Sequence, residues 1–147
     1  MGVRQSARVP SGLRQAPREL TRIVIADDDR FFVEMVRAAL EDSGQFKVVG
    51  TASTGEEAIQ RVEELQPSLV LMDVDMPVLD GVQATDRLRK LADPPTVVLI
   101  TGEDIEAHSA IYRAGAACYV NKDHSLPLLI GVLLAAVMGE TSELARC

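Results

Sequence analysis

Four separated groups of polar residues carry side chains that are suited to phosphoryl chemistry. They are the acidic run Asp27–Asp29, then Asp73, Thr101 and Lys122. Clustered carboxylates bind hard divalent cations, and one of them can serve as a nucleophile. A hydroxyl and an ammonium group can hold phosphoryl oxygens. Each residue alone is ordinary for a loop, a strand or a surface, so the interpretation depends on their joint position.

The position of these residues follows from five predicted strands. Three short apolar runs are typical of central parallel strands that are covered on both faces. Two shorter or more polar stretches are typical of edge strands. The five predicted strands are Ile23–Ala26, Phe46–Ala52, Leu69–Met72, Val97–Ile100 and Ala117–Val120.

Helical patterns fill the intervals between the strands. Phe32 to Leu40 has an amphipathic repeat, with Asp29 as N-cap and Gly44 as the end. Thr54-Gly55-Glu56-Glu57 has the pattern of a capping box, and Asp80-Gly81 opens a further helix. The predicted helices span about 29–44, 54–66, 80–91, 104–114 and 125–138.

Five strands that alternate with five helices predict a three-layer α/β sandwich with right-handed crossovers. In such sheets, ligands bind beyond the carboxyl ends of the strands. Asp27 and Asp28 follow the first strand, Asp73 the third and Thr101 the fourth, and Lys122 lies just past the fifth. All of them are therefore expected at one rim of the sheet.

Charge limits the chemistry that this rim can perform. Neighbouring carboxylates repel one another, so a cation such as Mg²⁺ is expected among them. Asp28 and Asp73 are the expected direct ligands, with a backbone carbonyl near Asp75, and Asp27 is expected to hold a metal-bound water. The free oxygen of Asp73 can then attack a phosphorus atom in line, which gives an aspartyl phosphate.

Composition predicts one domain and excludes some classes of function. The chain has 147 residues; residues 1–20 carry a net charge of +3, so the formal net charge of −7 leaves −10 on the remainder. We expect a flexible basic extension at 1–20, the domain at 21–140 and a short tail at 141–147. An acidic body disfavours direct nucleic-acid binding. The absence of an apolar spanning run and of a signal-peptide core predicts a cytoplasmic protein without membrane contact.

Residues 21–140 resemble the receiver domain of bacterial two-component response regulators. The resemblance is carried by Ile25–Asp29, by the segment Asp73–Gly81, by Leu99–Gly102 and by Gly115–Lys122. It implies a flavodoxin-like fold with a five-stranded parallel sheet in the order 2-1-3-4-5. Asp123 follows Lys122 where many receivers have proline, which makes a cis bond unlikely at this position.

The resemblance also implies a signalling function. Asp73 would accept a phosphoryl group from a sensor histidine kinase or a phosphotransfer protein, with Mg²⁺ as cofactor. The domain would catalyse its own phosphorylation and dephosphorylation rather than act on another substrate. Thr101 would move toward the phosphoryl group while Tyr119 turns inward, and this switch would change the surface that binds a downstream effector or output domain.

Several alternatives stay open. Asp73-Val74-Asp75 resembles the Asp-x-Asp of haloacid-dehalogenase phosphatases, although those enzymes place it after the first strand. A second alternative is a scaffold that binds its partner regardless of phosphorylation. A third is that the chain is a fragment of a larger regulator rather than a single-domain protein. The last predicted helix has no charged residue between Leu126 and Met138, which predicts a homodimer seam or another docking surface.

Overall fold

The computed structural model describes residues 19–102 and 115–139. Its single sheet contains five parallel strands in the order β2-β1-β3-β4-β5. This confirms the predicted topology, with the fifth strand beginning one residue later than expected. The strands are β1 (Thr21–Ala26), β2 (Phe46–Ala52), β3 (Leu69–Asp73), β4 (Thr96–Thr101) and β5 (Cys118–Asn121).

Helices cover both faces of the sheet, as the three-layer prediction requires. Within the described ranges they are α1 (Arg30–Asp42), α2 (Gly55–Leu65), α3 (Gly81–Leu88) and α4 (Leu126–Val137). Helices α1 and α4 pack on one face, and α2 and α3 pack on the other. The helix predicted at 104–114 lies outside the described residues. So do nearly all of the predicted basic extension and the predicted C-terminal tail.

The alternation of side chains along β1 shows why its sequence is apolar from Ile23 to Ala26. Ile23 and Ile25 face α1 and α4, whereas Val24 and Ala26 face α2 and α3. Because both faces are buried along these four residues, each of them is apolar, and the polar Thr21 and Arg22 lie at the partly exposed start of the strand. Within the described parts of the chain, no helix has the length and apolar content needed to cross a bilayer.

The helix ends largely follow the predicted capping residues. The Asp29 side chain accepts hydrogen bonds from the first turn of α1, and Gly44 takes a left-handed conformation (φ 75°) beyond its end. The predicted capping box of α2 is only half formed. Thr54 accepts from the Glu57 N–H at 3.1 Å, but the Glu57 carboxylate accepts from the N–H and hydroxyl of Ser53 instead of the Thr54 N–H.

Two features differ from the sequence predictions. Helix α3 ends at Leu88 rather than near Leu91, because the N–H groups of Lys90 and Leu91, beyond the C-cap Arg89, bond three residues back and tighten the chain into turns. Helix α4 exposes less apolar surface than its composition suggested. Only Pro127 and Gly131 are exposed within the helix, and Met138 at its C-cap, since most of its larger side chains pack wholly or partly against the core.

Candidate functional site

The rim at the carboxyl ends of the strands gathers the acidic residues. Asp27 follows β1 directly, and Asp73 is the last residue of β3, which neighbours β1 in the sheet. Asp27, Asp28 and Asp73 each place a carboxylate oxygen within 4.8 Å of the others. Asp27 and Asp73 are buried and Asp28 is exposed. The rim therefore has a concentrated negative charge that is open to solvent on the side of Asp28.

Lys122 supplies the positive charge that faces this cluster. Its Nζ lies 2.8 Å from Asp27 Oδ2 and 3.4 Å from Asp73 Oδ2. The backbone N–H of Lys122 donates to the Thr101 carbonyl at 2.8 Å, which ties the end of β5 to the end of β4. The lysine is thus shared between two carboxylates and lies closer to Asp27 than to Asp73.

Electrostatics make Asp73 an unusual carboxyl group. Burial, followed by the negative charge of Asp27, raises the pKa of Asp73 to about 7. The Asp75 N–H, which donates to Asp73 Oδ1 at 3.1 Å, and the Lys122 ammonium act in the opposite direction without cancelling the rise. Burial alone would lower the pKa of Lys122, but its two carboxylate partners raise it above the usual value. The excess negative charge needs a further cation.

The three carboxylates fit a hard divalent cation such as Mg²⁺. Their ligand atoms are all oxygens, as Mg²⁺ prefers. Asp27 Oδ2 is buried, and the Lys122 ammonium lies 2.8 Å from it. Because one ammonium faces three carboxylates, a further cation would offset the remaining negative charge. The donor set therefore matches the predicted cofactor.

The loop between β3 and α3 holds the backbone of Asp73 in place. The Gly81 N–H donates to the Val74 carbonyl at 3.0 Å, and a Cβ at position 81 would collide with the Asp73 carbonyl oxygen. Only glycine permits this approach. Asp80 caps α3 with a complete capping box that includes Gln83. The sequence indicated Asp80-Gly81 as the start of a helix, and the same pair also packs that helix against the backbone of Asp73.

The predicted switch residues are both buried. Thr101 ends β4, one residue beyond the register partner of Asp73, and Tyr119 lies on β5 with 3% of its surface exposed. Tyr119 packs in the cluster shared with α2 and α3. Its side chain therefore lies inward.

Two further features of the rim were not found from the sequence. The Lys122 ammonium lies over the ring of Phe32, 4.7 Å from its centroid, whereas the sequence marked Phe32 only as part of the apolar stripe of α1. A polar cleft of about 430 Å³ opens beside Asp27 and Asp28, with Arg30 and Arg61 among its lining residues. It gives the exposed side of the cluster room for a partner.

Comparison with known proteins agrees with the fold. The sequence profile of the response regulator receiver domain matches residues 23–133. The chain is similar to the transcriptional regulatory protein DegU of Brevibacillus brevis, with 33% identity over 80% of this chain and 50% of DegU. It is also similar to a protein-glutamate methylesterase/protein-glutamine glutaminase of Myxococcus xanthus, with 40% identity over 69% of this chain and 29% of that protein.

Among solved structures, the receiver domain of NarL from Mycobacterium tuberculosis is similar, with a TM-score of 0.80 and 32% identity over 84% of this chain and 100% of that domain. The chain spans half or less of the two curated relatives named above, but all of this isolated domain. The profile match covers most of the chain and includes Asp27, Asp73, Thr101 and Lys122. The chain therefore belongs to the receiver domain family of two-component response regulators.

Proposed function

We propose that Asp73 is the residue that accepts the phosphoryl group, from a sensor histidine kinase or a phosphotransfer protein. The observation that carries this proposal is the meeting of Asp27, Asp28, Asp73 and Lys122 at the rim. Asp73 is the one carboxylate of the three that is the last residue of a strand; Gly81 packs against its backbone carbonyl, and its Oδ1 accepts from the Asp75 N–H. A nucleophile that is fixed by its neighbours in this way is suited to in-line transfer.

In the transfer step an oxygen of the ionised Asp73 carboxylate forms the new O–P bond. The P–N bond of the donor phosphohistidine breaks, and the imidazole nitrogen keeps the electron pair. Hydrolysis reverses the change at Asp73: water attacks phosphorus, inorganic phosphate leaves and the carboxylate returns. The protein would catalyse both reactions on itself by positioning and by charge stabilisation.

Mg²⁺ is the cofactor that we propose for this site. Asp28 and Asp73 would bind it directly, together with the backbone carbonyl of Asp75, and Asp27 would hold one of its waters. When bound, the ion would supply positive charge against the developing negative charge of the transferred group. The raised pKa of Asp73 supports this proposal, because a carboxyl group with that pKa is only partly ionised at neutral pH. A bound cation would favour the ionised form and release the proton.

Lys122 and Thr101 would contact the phosphoryl oxygens. Lys122 already faces Asp73 at 3.4 Å, and Thr101 ends the neighbouring strand. We propose that Thr101 moves toward the phosphoryl group and that Tyr119 is stabilised in an inward position on the same event. The inward position is the one that Tyr119 has in the structure, and the proposed event would increase the population of this position.

We propose that the partners of this chain are other proteins or an attached protein domain. The curated relatives it matches are longer and include named transcriptional regulators, so a downstream effector or an attached output domain is the proposed recipient of the signal. Direct nucleic-acid contact would belong to that other part, since residues 21–147 carry −10. Membrane contact is not proposed, and the proposed location is the cytoplasm.

Self-association through α4 stays a prediction. Its exposed positions are Pro127, between the half-buried Leu126 and Leu128, and Gly131, and the exposed Met138 follows at the C-cap. Sedimentation of the protein at high concentration, with and without phosphorylation, measures it directly. A monomer under both conditions would remove the homodimer from the proposal.

Incubation with acetyl phosphate and Mg²⁺ tests the phosphoacceptor assignment. We expect the intact mass to increase by one phosphoryl group on Asp73, and EDTA to prevent the change. Asp73→Asn should abolish it, whereas the exposed Asp93→Asn, on the loop before β4 at the opposite edge of the sheet, should leave it unchanged. A phosphoryl group mapped to another residue would defeat the assignment. An Asp73→Asn protein that signalled like wild type would favour the scaffold alternative.

A further inference from the structure

We propose that Phe32 is a positioning residue whose aromatic face holds the Lys122 ammonium beside Asp27 and Asp73. This inference rests on the proposed function, since it gives Phe32 a part in organising the same site. The Lys122 Nζ lies 4.7 Å from the ring centroid, 2.8 Å from Asp27 Oδ2 and 3.4 Å from Asp73 Oδ2. The ammonium is therefore bounded by two carboxylates and one aromatic ring.

Lys122 needs such support because its side chain is long and flexible, and 23% of it is exposed. Without a third contact only the two ion pairs would keep the ammonium from moving out toward water. The face of an aromatic ring attracts a cation through its quadrupole, and the attraction is stronger where water is excluded. Phe32 is only 9% exposed, so its ring can hold the cation at the boundary between the core and the site.

The acidic run itself fixes where this ring lies. Asp29 Oδ1 accepts hydrogen bonds from the N–H groups of Phe31 and Phe32, which sets the first turn of α1. Phe32 then points to the core and Phe31 to solvent, where 81% of Phe31 is exposed. The acidic run thus supplies two of the three clustered carboxylates, Asp27 and Asp28, and through Asp29 orients the ring that faces the lysine.

The ring offers something that the carboxylates do not. Asp27 and Asp73 would share their charge with Mg²⁺ when it binds, which weakens their hold on Lys122. Phe32 has no lone pair for a metal, so its attraction for the ammonium is unaffected. We infer that Phe32 keeps Lys122 near Asp73 in the metal-bound protein, where it is needed for the phosphoryl oxygens.

A purely structural role in the core is the competing explanation for Phe32, and the chain contains a matched control. It has three phenylalanines, of which Phe32 contacts the lysine and Phe31 is exposed. The third, Phe46, is buried at the start of β2, at the amino ends of the strands and away from the site. Phe46→Leu removes a core ring without touching the site. Phe31→Leu makes the same change one residue away on the surface, and Phe32→Tyr retains an aromatic face.

The first readout is the rate at which acetyl phosphate with Mg²⁺ phosphorylates each full-length variant, under conditions where all are folded. We expect Phe32→Leu to be about three- to tenfold slower than wild type, on the scale of one partly buried cation–π contact. Phe32→Tyr should recover most of the rate, and Phe31→Leu and Phe46→Leu should retain it. A Phe32→Leu rate equal to that of Phe46→Leu, or a Phe32→Tyr rate as slow as that of Phe32→Leu, would overturn the inference.

The second readout does not depend on phosphorylation. The lysines of the chain are Lys47, Lys90 and Lys122, so their side-chain Cε–Hε resonances are few enough to assign by Lys→Arg replacement. The Phe32 ring should shift the Lys122 resonance upfield, and the shift should disappear in Phe32→Leu but persist in Phe46→Leu. An unshifted wild-type resonance would refute the contact. If no variant accepts phosphate, the proposed function fails while this spectrum still decides the role of Phe32.

Discussion

Replacing Asp73 with asparagine should make the metal-free protein more stable above neutral pH, although it removes a residue of the proposed site. The reason is the cost of ionising Asp73 in the folded state. Burial and the charge of Asp27 raise its pKa from 3.8 to about 7. Asparagine has a similar shape, can still accept from the Asp75 N–H, and does not ionise.

The magnitude follows from the size of this change. A difference of about 3 pKa units between the folded and unfolded states corresponds to about 4 kcal/mol at about 1.4 kcal/mol per unit. This cost belongs to Asp73 and Asp27 together, because each raises the energy of the other's charge. The variant also loses the 3.4 Å contact with Lys122, but Lys122 retains Asp27 at 2.8 Å. The net gain at pH 8 should therefore be about 2–4 kcal/mol.

The sign of the pH dependence is fixed by the direction of the shift. Between pH 4 and 7 the unfolded chain has released the Asp73 proton and the folded protein retains it. Stability of the wild type should therefore fall as pH rises through this window, and the loss should level off above pH 7. Asp73→Asn lacks this contribution, so its advantage should be near zero at pH 4 and largest at pH 8.

Urea unfolding in EDTA, at intervals from pH 4 to pH 8, measures the difference. Asp93→Asn is the control, since Asp93 is exposed and lies on the loop before β4, at the opposite edge of the sheet. Saturating Mg²⁺ should restore wild-type stability at pH 8 and leave Asp73→Asn little changed. An advantage that did not grow with pH, or a less stable variant at pH 8, would refute the electrostatic account of this site.

Three further perturbations test neighbouring parts of the reasoning. Because metal ligands must be deprotonated, the Mg²⁺ affinity measured by calorimetry should rise about tenfold per pH unit from pH 5 to 7 and then level off. An affinity that did not change with pH would contradict the raised pKa of Asp73. The Lys122→Met variant should bind Mg²⁺ about tenfold more tightly, because a competing positive charge is removed, yet it should accept phosphate from acetyl phosphate more slowly. Weaker Mg²⁺ binding would contradict the pairing of Lys122 with Asp27 and Asp73. Gly81→Ala should cost about 1–3 kcal/mol and slow phosphorylation, because its Cβ displaces the backbone of Asp73. Thr85→Val, which removes the buried hydroxyl that donates to the Gly81 carbonyl, is its control and should cost about 1 kcal/mol with no change in rate.

The apolar strands and the acidic rim could be predicted because their signals are local. A parallel strand covered on both faces must be apolar at every position, as in Ile23–Ala26, and a polar residue that follows it must lie at the carboxyl edge of the sheet. The capping residue Asp29 and the terminal Gly44 were likewise readable, since they satisfy the backbone of their own helix. The early end of α3 could not be predicted from the sequence, because it depends on how the last turn of the helix tightens.

The amino-acid sequence by itself determined the alternation of strands and helices, the residues at the rim of the sheet and the chemistry open to them, because these depend on periodicity and on side-chain type. The order of the strands followed from the resemblance to receiver domains. Only the tertiary structure decided how charge is shared at that rim. Contacts between residues about fifty to a hundred positions apart bring Lys122 closer to Asp27 than to Asp73 and set it over Phe32. Burial then raises the pKa of Asp73. Distances between side chains on different strands and helices, and the exclusion of water from them, arise only when the elements pack.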